Sequence, residues 1–272
     1  TYTALDLSNN SISCSFTVTV NGAVAIACPS DTTVANEMGL CTAVVNDIPV
    51  TIVSGASEVD TIYYNITGAT MGNGPDDASG NTFNLGESLV TYVVLANNGD
   101  SVVCSFIVTV EDVEDPTIVC PNDTTLTAAP GMTSIAVGNL DPLAADLCQL
   151  DSVGYQISGA TMAADSGSVS GRGFNEGLST VTYTAFDAAG NSASCSVEVT
   201  VLAGIAIACP NDTTVSTDPG NCSAVVNDIA VAILSGASEV DTIHYRIGGA
   251  TVAEGPDDAS GTDFDLGQST VT

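Results

Sequence analysis

One pattern recurs along this chain and constrains its fold more than any other feature. An opening motif of Cys-Pro, one variable residue and Asp-Thr-Thr begins at three positions: Cys28, Cys120 and Cys209. A closing motif that starts with Cys-Ser begins at three further positions: Cys14, Cys104 and Cys195. In residues 195–201 apolar and polar residues alternate strictly, which is the period of a half-buried β-strand. The chain is therefore built from a strand-containing unit that repeats about every ninety residues.

The repeats alternate between two types. The best alignment of the sequence with itself needs no gaps and pairs residues that lie 181 positions apart, such as Cys14 and Cys195. We therefore interpret the period as a pair of domains, A and B. The expected segments are the last two strands of a B-type domain at 1–20, an A-type domain at 21–110, a B-type domain at 111–201 and an A-type domain lacking its last strands at 202–272. Since the sequence starts and stops at equivalent threonines inside a strand, we expect it to be a window on a longer array.

The charge of the chain excludes one class of partner. Its 272 residues include 32 acidic side chains against two Arg and no Lys. Nucleic-acid binding needs clustered cations to neutralise phosphates, so no nucleic-acid partner is expected. No apolar run approaches the length of a membrane-spanning helix, so no membrane span is expected in this segment. A sustained 3.6-residue apolar period is also missing, and the sequence predicts an all-β fold.

The cysteines predict a disulfide framework. Nine occur, six of them within one A–B pair. The opening and closing strands of one unit can be neighbours in a β-sandwich, which favours Cys28–Cys104 and Cys120–Cys195. Competing pairs would join each closing strand to the next opening strand: Cys14–Cys28, Cys104–Cys120 and Cys195–Cys209. Spacing alone does not choose between these connectivities.

The remaining cysteines fall into two groups. Some have no counterpart in the adjacent unit, and others have no partner within this sequence. Cys41 and Cys148 would be satisfied by a Cys41–Cys148 bridge or by a Cys148–Cys222 bridge between adjacent domains. In the favoured scheme Cys14 and Cys209 pair with cysteines beyond the two ends of this sequence. Disulfides form in oxidising surroundings, so the expected location is extracellular, either at the cell surface or secreted.

Three segments resemble the hyalin repeat (HYR) domain family. They are Ile-Ala-Cys-Pro-Asn-Asp-Thr-Thr-Val at 207–215, Ser-Thr-Val-Thr-Tyr-Thr-Ala-Phe-Asp-Ala-Ala-Gly-Asn at 179–191, and Ser-Cys-Ser-Val-Glu-Val-Thr-Val at 194–201. The resemblance implies tandem immunoglobulin-like β-sandwich domains and an extracellular, adhesion-related role, as in tandem arrays of large bacterial surface adhesins. Two features depart from the family. Bacterial members often carry four cysteines per unit rather than three, and Ala96 replaces the turn aspartate present at Asp6 and Asp187.

Two acidic turns are candidate calcium sites. Paired carboxylates lie on Gly- and Pro-containing turns at Asp76, Asp77 and Asn81, and again at Asp257 and Asp258. Calcium takes six to eight oxygen ligands, which Asp, Asn and backbone carbonyls of one loop could supply. The alternative is an ordinary solvated turn, in which Pro, Asp, Ser and Gly are the usual residues.

A recurrent triplet is a candidate for glycosylation. Asp is followed by Thr or Ser and then by an aliphatic residue or Thr, which resembles the O-glycosylation motif of one group of surface-decorating bacteria. The candidate acceptors are Thr32, Thr61, Ser101, Thr124, Ser152, Thr213 and Thr242. The alternative is a chance pattern in a chain rich in Asp and Thr.

The aromatic residues are expected to pack in cores rather than to bind ligands. They recur at matched positions: Tyr2, Tyr92, Tyr183, Phe83, Phe174 and Phe264. Catalysis has little support, because the single histidine, His244, is matched by Tyr63 in the related unit.

The sequence therefore predicts a non-enzymatic extracellular protein, a stiff cell-surface fibre or adhesin stalk made of tandem β-sandwich repeats with short linkers. Its expected partners are other copies of the repeat along a fibre, and glycans or host-surface ligands at any adhesive site. One alternative is a filament subunit that polymerises head-to-tail by strand exchange. The other is a calcium- or glycan-binding adhesin module.

Overall fold

The computed structural model describes residues 1–18 and 22–272, and nearly all of their regular structure is β-strand. The described residues form two compact units, Thr1–Glu114 and Asp115–Thr272. The expected domain boundary between residues 20 and 21 lies outside the described residues. Among those residues there is no helix with the length and apolarity needed to cross a bilayer.

The first unit contains a hairpin and one complete repeat. The hairpin is formed by β1 (Tyr2–Leu5) and β2 (Ser11–Cys14). The strands of the first repeat are β3 (Ala25–Ala27), β4 (Thr32–Ala35), β5 (Thr42–Val45), β6 (Thr51–Ser54), β7 (Val59–Gly68), β8 (Gly72–Pro75), β9 (Asn81–Asn84), β10 (Gly86–Ala96) and β11 (Ser101–Glu111). A single 3₁₀ turn, Ala56–Glu58, precedes β7.

The second unit contains a second repeat and part of a third. The strands of the second repeat are β12 (Thr117–Val119), β13 (Thr124–Thr127), β14 (Ser134–Val137), β15 (Leu143–Ala145), β16 (Leu150–Gly159), β17 (Ala163–Ser166), β18 (Arg172–Asn175), β19 (Gly177–Asp187) and β20 (Ser192–Leu202). Those of the third are β21 (Ala206–Ala208), β22 (Ser223–Val226), β23 (Ala232–Ser235), β24 (His244–Gly249), β25 (Ala253–Pro256), β26 (Thr262–Asp265) and β27 (Ser269–Val271), with a 3₁₀ turn at Ala237–Glu239.

Both complete repeats have the same topology. A five-stranded sheet has the order β4-β11-β10-β7-β8 in the first repeat and β13-β20-β19-β16-β17 in the second. Its pairs are antiparallel except for the edge pairs β4–β11 and β13–β20, which are parallel. Two short ladders complete each repeat, β3–β6 with β5–β9 and β12–β15 with β14–β18. The fold is therefore all-β, with tandem immunoglobulin-like β-sandwich domains.

The core of each complete repeat lies between the five-stranded sheet and a short ladder. In the first repeat Tyr92 of β10 and Phe106 of β11 pack in one cluster with Phe83 of β9. Alternate residues of β10 are buried, because successive side chains of a strand point to opposite faces of the sheet. Burying one such large side chain contributes roughly 1.5–3 kcal/mol. The second repeat has an equivalent cluster around Tyr183 and Phe174.

The third repeat has a shorter sheet. Three strands remain in the order β25-β24-β27, where the complete repeats have five. Residues 213–216 and 240–243 are not strands, although their counterparts in the first repeat belong to β4 and β7. In the first repeat these two segments hydrogen-bond to β11 and to the second half of β10. A strand needs such a neighbour to satisfy its backbone groups, which explains why both segments lack strand structure here.

The expectation that all six recurrent aromatics are core residues is only partly right. Tyr92, Tyr183, Phe83 and Phe174 are fully buried. Tyr2 is exposed, and it stacks on Phe16 with ring centroids 5.8 Å apart. Phe264 is half-buried. The reason is local, since the described part of the hairpin β1–β2 pairs only with itself and the third repeat has a reduced sheet.

Candidate functional site

Two disulfides join the opening and closing strands of the complete repeats. Cys28 follows β3 and is bonded to Cys104 of β11, with Cα atoms 5.7 Å apart. Cys120 follows β12 and is bonded to Cys195 of β20, with Cα atoms 5.8 Å apart. Both are the favoured pairs of the sequence analysis, and they rule out the competing pairs between neighbouring units. The two bonds join residues 76 and 75 positions apart in the sequence. In the loop-entropy description, each bond lowers the entropy of the unfolded chain and so stabilises the folded state by about 4 kcal/mol.

The other cysteines fall into two groups. Cys41 and Cys148 are both disulfide-bonded. Cys14, Cys209 and Cys222 are exposed free thiols. The alternative bridge Cys148–Cys222 is therefore wrong, because the Cys222 thiol is not part of any disulfide.

The aspartate of the opening motif anchors the parallel edge strand. Asp31 Oδ1 accepts a hydrogen bond of 2.7 Å from the backbone N–H of Ile107 in β11. Asp123 Oδ1 does the same for Glu198 of β20, at 2.8 Å. The carboxylate thus fastens the start of β4 or β13 to the closing strand. In the third repeat the equivalent Asp212 is exposed and makes no hydrogen bond among the described residues.

In the first candidate calcium turn, one carboxylate oxygen is held by internal hydrogen bonds. Asp77 Oδ1 accepts from the Ser79 N–H at 2.9 Å and from the Tyr92 hydroxyl at 3.0 Å. The Asn81 amide donates to the carbonyl of Ala78 at 2.8 Å. Asp76 is exposed and has a positive φ of 59°, typical of a tight turn. Asp77 and Asn81 therefore hold the turn together through their hydrogen bonds.

The second candidate turn repeats this geometry. Asp258 Oδ1 accepts from the Ser260 N–H at 2.6 Å, and hydrogen bonds from Ser260 lower the pKa of Asp258. Asp257 is exposed, with a φ of 68°. In the B-type repeat, a different aspartate accepts the hydrogen bonds of the corresponding turn. Asp141, which was not identified from the sequence, accepts from the Val169 N–H at 2.8 Å and from the Ser168 hydroxyl at 2.6 Å.

The candidate glycosylation residues differ in exposure. Thr32 and Thr124 are half-buried at the start of β4 and β13. The other five side chains are exposed and accessible to a modifying enzyme: Thr61, Ser101, Ser152, Thr213 and Thr242.

A buried hydroxyl links the turn to the core in both complete repeats. The Tyr92 hydroxyl lies 2.6 Å from the carbonyl of Ile48 and accepts from the Ala78 N–H at 2.9 Å. The Tyr183 hydroxyl donates to the carbonyl of Leu140 at 2.7 Å. Burial raises the pKa of each tyrosine to about 12. Because the hydroxyl stays protonated, it keeps its hydrogen bond over the whole physiological range.

The turn aspartate closes the β19–β20 hairpin. Asp187 Oδ1 accepts from the N–H groups of Gly190 and Asn191 at 2.6 and 2.8 Å, and Oδ2 accepts from the Asn191 amide. Burial acts to raise the pKa of Asp187, but the hydrogen bonds from Asn191 and Gly190 outweigh it and the pKa is lowered. Gly190 has a positive φ of 99°, which is typical of glycine in a hairpin turn. Asp6 forms the equivalent network in β1–β2.

The junction between the second and third repeats is closely packed and was missed by the sequence analysis. The Ser235 hydroxyl donates to the Gly204 carbonyl at 2.7 Å, and its oxygen accepts from the Gly131 N–H at 3.2 Å. A Cβ placed on Gly204 would lie 2.7 Å from the Pro130 nitrogen and closer still to the Ala128 carbonyl oxygen. No side chain larger than hydrogen fits there. The sequence did contain a signal for this junction. Ser235 contacts Gly204, and the pair Ser235-Gly236 is matched by Ser54-Gly55 at the 181-residue offset.

One open depression lies beside β24 and β25. It has a volume of about 500 Å³, and its lining includes His244, Tyr245, Arg246 and Thr272. A single carboxylate, Glu254, contributes to it. The other arginine, Arg172, is occupied elsewhere: its guanidinium donates to the Tyr155 hydroxyl at 2.7 Å and lies over the ring of Tyr155.

Comparison with known proteins gives one family match and one curated relative. The family model described as "HYR domain" matches residues 111–201. The chain is 32% identical over 214 residues to Hyalin of Strongylocentrotus purpuratus. That alignment covers 75% of this chain and 16% of Hyalin, so the chain spans about one sixth of this relative.

Solved structures with a similar fold include two cadherin fragments. Human CDH23 EC21-23 is 16% identical, with a TM-score of 0.37, and the alignment covers 86% of this chain and 87% of that one. Drosophila N-cadherin EC1-4 is 14% identical, with a TM-score of 0.36 and coverage of 92% and 68%.

Proposed function

We infer that this chain is part of a non-enzymatic extracellular protein whose tandem β-sandwich repeats act as a stiff spacer, in a cell-surface fibre or an adhesin stalk. The HYR match over residues 111–201 and the similarity to Hyalin support an extracellular, adhesion-type role. Disulfide bonds at six cysteines suit the oxidising surroundings outside a cell. The acidic surface opposes adhesion between neighbouring fibres.

The observation that carries this proposal is the packed junction at Gly204. A flexible spacer would join its domains through solvated Gly- and Ser-rich segments. Here Ala203 and Gly204 are buried, and the Ser235 hydroxyl bridges the Gly204 carbonyl and the Gly131 N–H. Such a junction resists bending between the second and third repeats. A protein that spans distance needs this property at every junction.

Gly204→Ala tests the stiffness. The added methyl group would meet the backbone of residues 128–130, so the junction must open and bending should increase. Small-angle X-ray scattering of the full 272-residue chain, at a concentration where sedimentation shows a monomer, should give a broader distribution of dimensions for the variant. Hydrogen exchange in β19 and β20 should be unchanged, because the second repeat keeps its own core.

Gly173→Ala is the matched control. Gly173 lies in β18, and a Cβ there meets no atom within 4 Å, so its scattering curve should equal that of the wild type. Equal flexibility of Gly204→Ala and the wild type would contradict a stiff spacer. Antibodies against the chain should in addition label extended structures outside intact source cells; labelling only after permeabilisation would contradict the extracellular location.

Glycans and a surface ligand remain part of the same proposal. The exposed acceptors Thr61, Thr213 and Thr242 lie on surfaces where a glycan would not disturb a core. Mass spectrometry of peptides from the native protein should find the peptides that contain these residues heavier than their sequence mass by the mass of a glycan. Peptides with their plain sequence mass at all three sites would remove glycosylation from the proposal.

A further inference from the structure

The turn between β10 and β11 differs in its chemistry from its two counterparts. In the hairpins β1–β2 and β19–β20, an aspartate accepts hydrogen bonds from an asparagine four residues later, as Asp187 does from Asn191. In the first repeat these two positions are Ala96 and Asp100, so the carboxylate at the start of the turn is missing. The turn instead contains Asn98, and the other two turns have no asparagine at that position.

Asn98 forms two hydrogen bonds with Asp100. Its Nδ2 donates to Asp100 Oδ2 at 2.7 Å, and its Oδ1 accepts from the Asp100 N–H at 3.0 Å. Gly99 lies between them with a positive φ of 89°, and its N–H donates to the Ala96 carbonyl at 2.9 Å. Residues 97–100 are all exposed, and a Cβ placed on Gly99 meets no atom within 4 Å. The side-chain amide of Asn98 is therefore followed by an unobstructed glycine in a turn that water reaches.

We propose that Asn98 is a site of spontaneous deamidation, with water as the co-reactant. The Gly99 N–H leaves its hydrogen bond to Ala96 when the exposed turn opens, and it loses its proton to hydroxide. The nitrogen attacks Cγ of Asn98, and a five-membered imide forms as the Cγ–Nδ2 bond breaks. Nδ2 takes a proton from water and leaves as ammonia. Water then opens the imide at either carbonyl, which gives aspartate or isoaspartate at this position.

Two groups of Asp100 promote this reaction. When the Gly99 nitrogen attacks, negative charge develops on Oδ1 of Asn98, which already accepts a hydrogen bond from the Asp100 N–H. When Nδ2 is protonated, positive charge develops beside the Asp100 carboxylate, whose Oδ2 lies 2.7 Å from Nδ2. Glycine has no Cβ, so the attacking nitrogen meets no side chain of its own residue. The turn therefore places a donor and a carboxylate where the two charges of the reaction develop.

The same dipeptide also occurs in a setting that opposes the reaction. Asn73 and Gly74 lie in β8, which pairs with β7. A Cβ placed on Gly74 would lie 2.6 Å from the Tyr64 hydroxyl, so the backbone there is packed against that side chain. Closure of the imide ring brings the nitrogen onto Cγ, and strand pairing and packing resist the backbone movement that this needs. The fold thus favours reaction at Asn98 over reaction at Asn73.

Deamidation would alter the turn permanently. The hydrogen bond from Nδ2 to Asp100 is lost, and a new carboxylate faces the existing one in a chain with a formal charge of −30. An isoaspartate also adds a methylene group to the backbone of the turn. Because the reaction needs only water, the altered fraction grows with the age of the chain. This inference is independent of the spacer function, and the failure of either leaves the other standing.

Incubation of the purified chain in mildly alkaline buffer tests the proposal. Peptides are made with pepsin in acid, where deamidation is slow, and are analysed by mass spectrometry. The peptide with Asn98 should exchange its amide for a carboxyl group roughly tenfold faster than the peptide with Asn73, because the paired strand must first open. Chromatography should separate two products, one with aspartate and one with isoaspartate. In urea the two rates should become similar, because neither dipeptide is then held by the fold.

Two variants separate the role of Asp100 from a general effect of charge. Asp100→Ala removes the carboxylate beside Nδ2 but keeps the backbone N–H, and it should slow deamidation of Asn98 several-fold. Asp151→Ala is the matched control and should leave the rate unchanged, because Asp151 is exposed in the second repeat and its side chain makes no hydrogen bond in the described chain. Three outcomes would overturn the proposal. They are equal rates at Asn73 and Asn98 in the folded chain, aspartate as the only product, and deamidation in Asp100→Ala as fast as in Asp151→Ala or faster.

Discussion

A single hydroxyl connects the turn and the core in each complete repeat, but it has different numbers of partners. The Tyr92 hydroxyl contacts Ile48, Ala78 and Asp77, whereas the Tyr183 hydroxyl contacts the carbonyl of Leu140. Both rings are fully buried. A buried polar group that loses its partner carries its desolvation cost, about 1–3 kcal/mol. The two repeats therefore depend on this atom to different degrees.

Tyr92→Phe should destabilise the first repeat more than Tyr183→Phe destabilises the second. The first change leaves a buried N–H and a carbonyl without their partner, and the second leaves one carbonyl. We expect losses of about 2–3 and about 1–2 kcal/mol in the free energy of unfolding. Urea unfolding followed by hydrogen exchange in β10 and β19 measures both. Equal losses would show that the additional contacts of Tyr92 contribute nothing.

Asp187 should make the stability of the second repeat depend on pH in the acid range. Its folded-state pKa is below the ordinary value, so its contribution is fully present above the unfolded pKa. The contribution is lost as the pH falls through the lowered folded-state pKa. Melting curves of wild type and Asp187→Asn should differ most near neutral pH and converge as the pH falls through the lowered pKa of Asp187.

Asp151→Asn provides the control for this measurement. Asp151 is exposed and makes no hydrogen bond in the described chain, so the change removes the same charge without removing a turn contact. Its melting curve should follow the wild type at every pH. A pH profile of Asp187→Asn parallel to the wild type would assign the acid sensitivity to other carboxyl groups.

At the scale of the strand, the parallel edge strand is held by one carboxylate as well as by its ladder. Asp123 reaches from the start of β13 to the N–H of Glu198. The ladder itself spans four residues, Thr124–Thr127. A short edge strand of this kind frays easily, and a charge-assisted hydrogen bond at its start limits the fraying.

Asp123→Ala should increase amide exchange in β13 by roughly tenfold, since a hydrogen bond to a charged group contributes about 1.5–3 kcal/mol before solvent screening. The equivalent Asp212→Ala should have no effect in the monomeric chain, because Asp212 makes no hydrogen bond there. Hydrogen exchange with mass spectrometry resolves both segments. An unchanged β13 would mean that the ladder alone holds this strand.

The sequence predicted these elements well where the signal was local. Alternation located β20, and the matching opening and closing motifs led to the Cys28–Cys104 pair because those strands are neighbours in a sandwich. The loss of strand structure at residues 213–216 was not anticipated. Their sequence still carries the strand pattern, but a strand forms only when another strand supplies hydrogen bonds. The exposure of Tyr2 has the same cause.

Non-local packing was also beyond the sequence. Nothing in the pattern around Gly204 states which backbone approaches it, and the steric limit becomes visible only with Ala128 and Pro130 in place. The sequence makes the Asp77 carboxylate a candidate calcium ligand, with an ordinary solvated turn as the alternative. Its hydrogen bonds to Ser79 and Tyr92 depend on a fold that brings residue 92 to residue 77.

At the scale of the whole molecule, we expect charge to control lateral association. The formal net charge of −30 opposes contact between chains at neutral pH through electrostatic repulsion. At about pH 4, near the ordinary pKa of carboxyl groups, roughly half of this charge is neutralised. Light scattering should therefore rise on acidification and fall again on return to neutral pH. Unchanged scattering near pH 4 would show that repulsion between carboxylates is not what keeps the chains separate.

The two arginines have a consequence for digestion. Trypsin-like enzymes cut after Lys or Arg, and they need an unfolded segment that fits their cleft. The two arginines of this chain are Arg172 and Arg246. Arg172 lies in β18 and donates a hydrogen bond to Tyr155, and Arg246 lies in the middle of β24. Both targets lie in paired strands rather than in loops, where nicking concentrates. Long stretches of this chain thus contain nothing for such enzymes to recognise, even when a repeat opens.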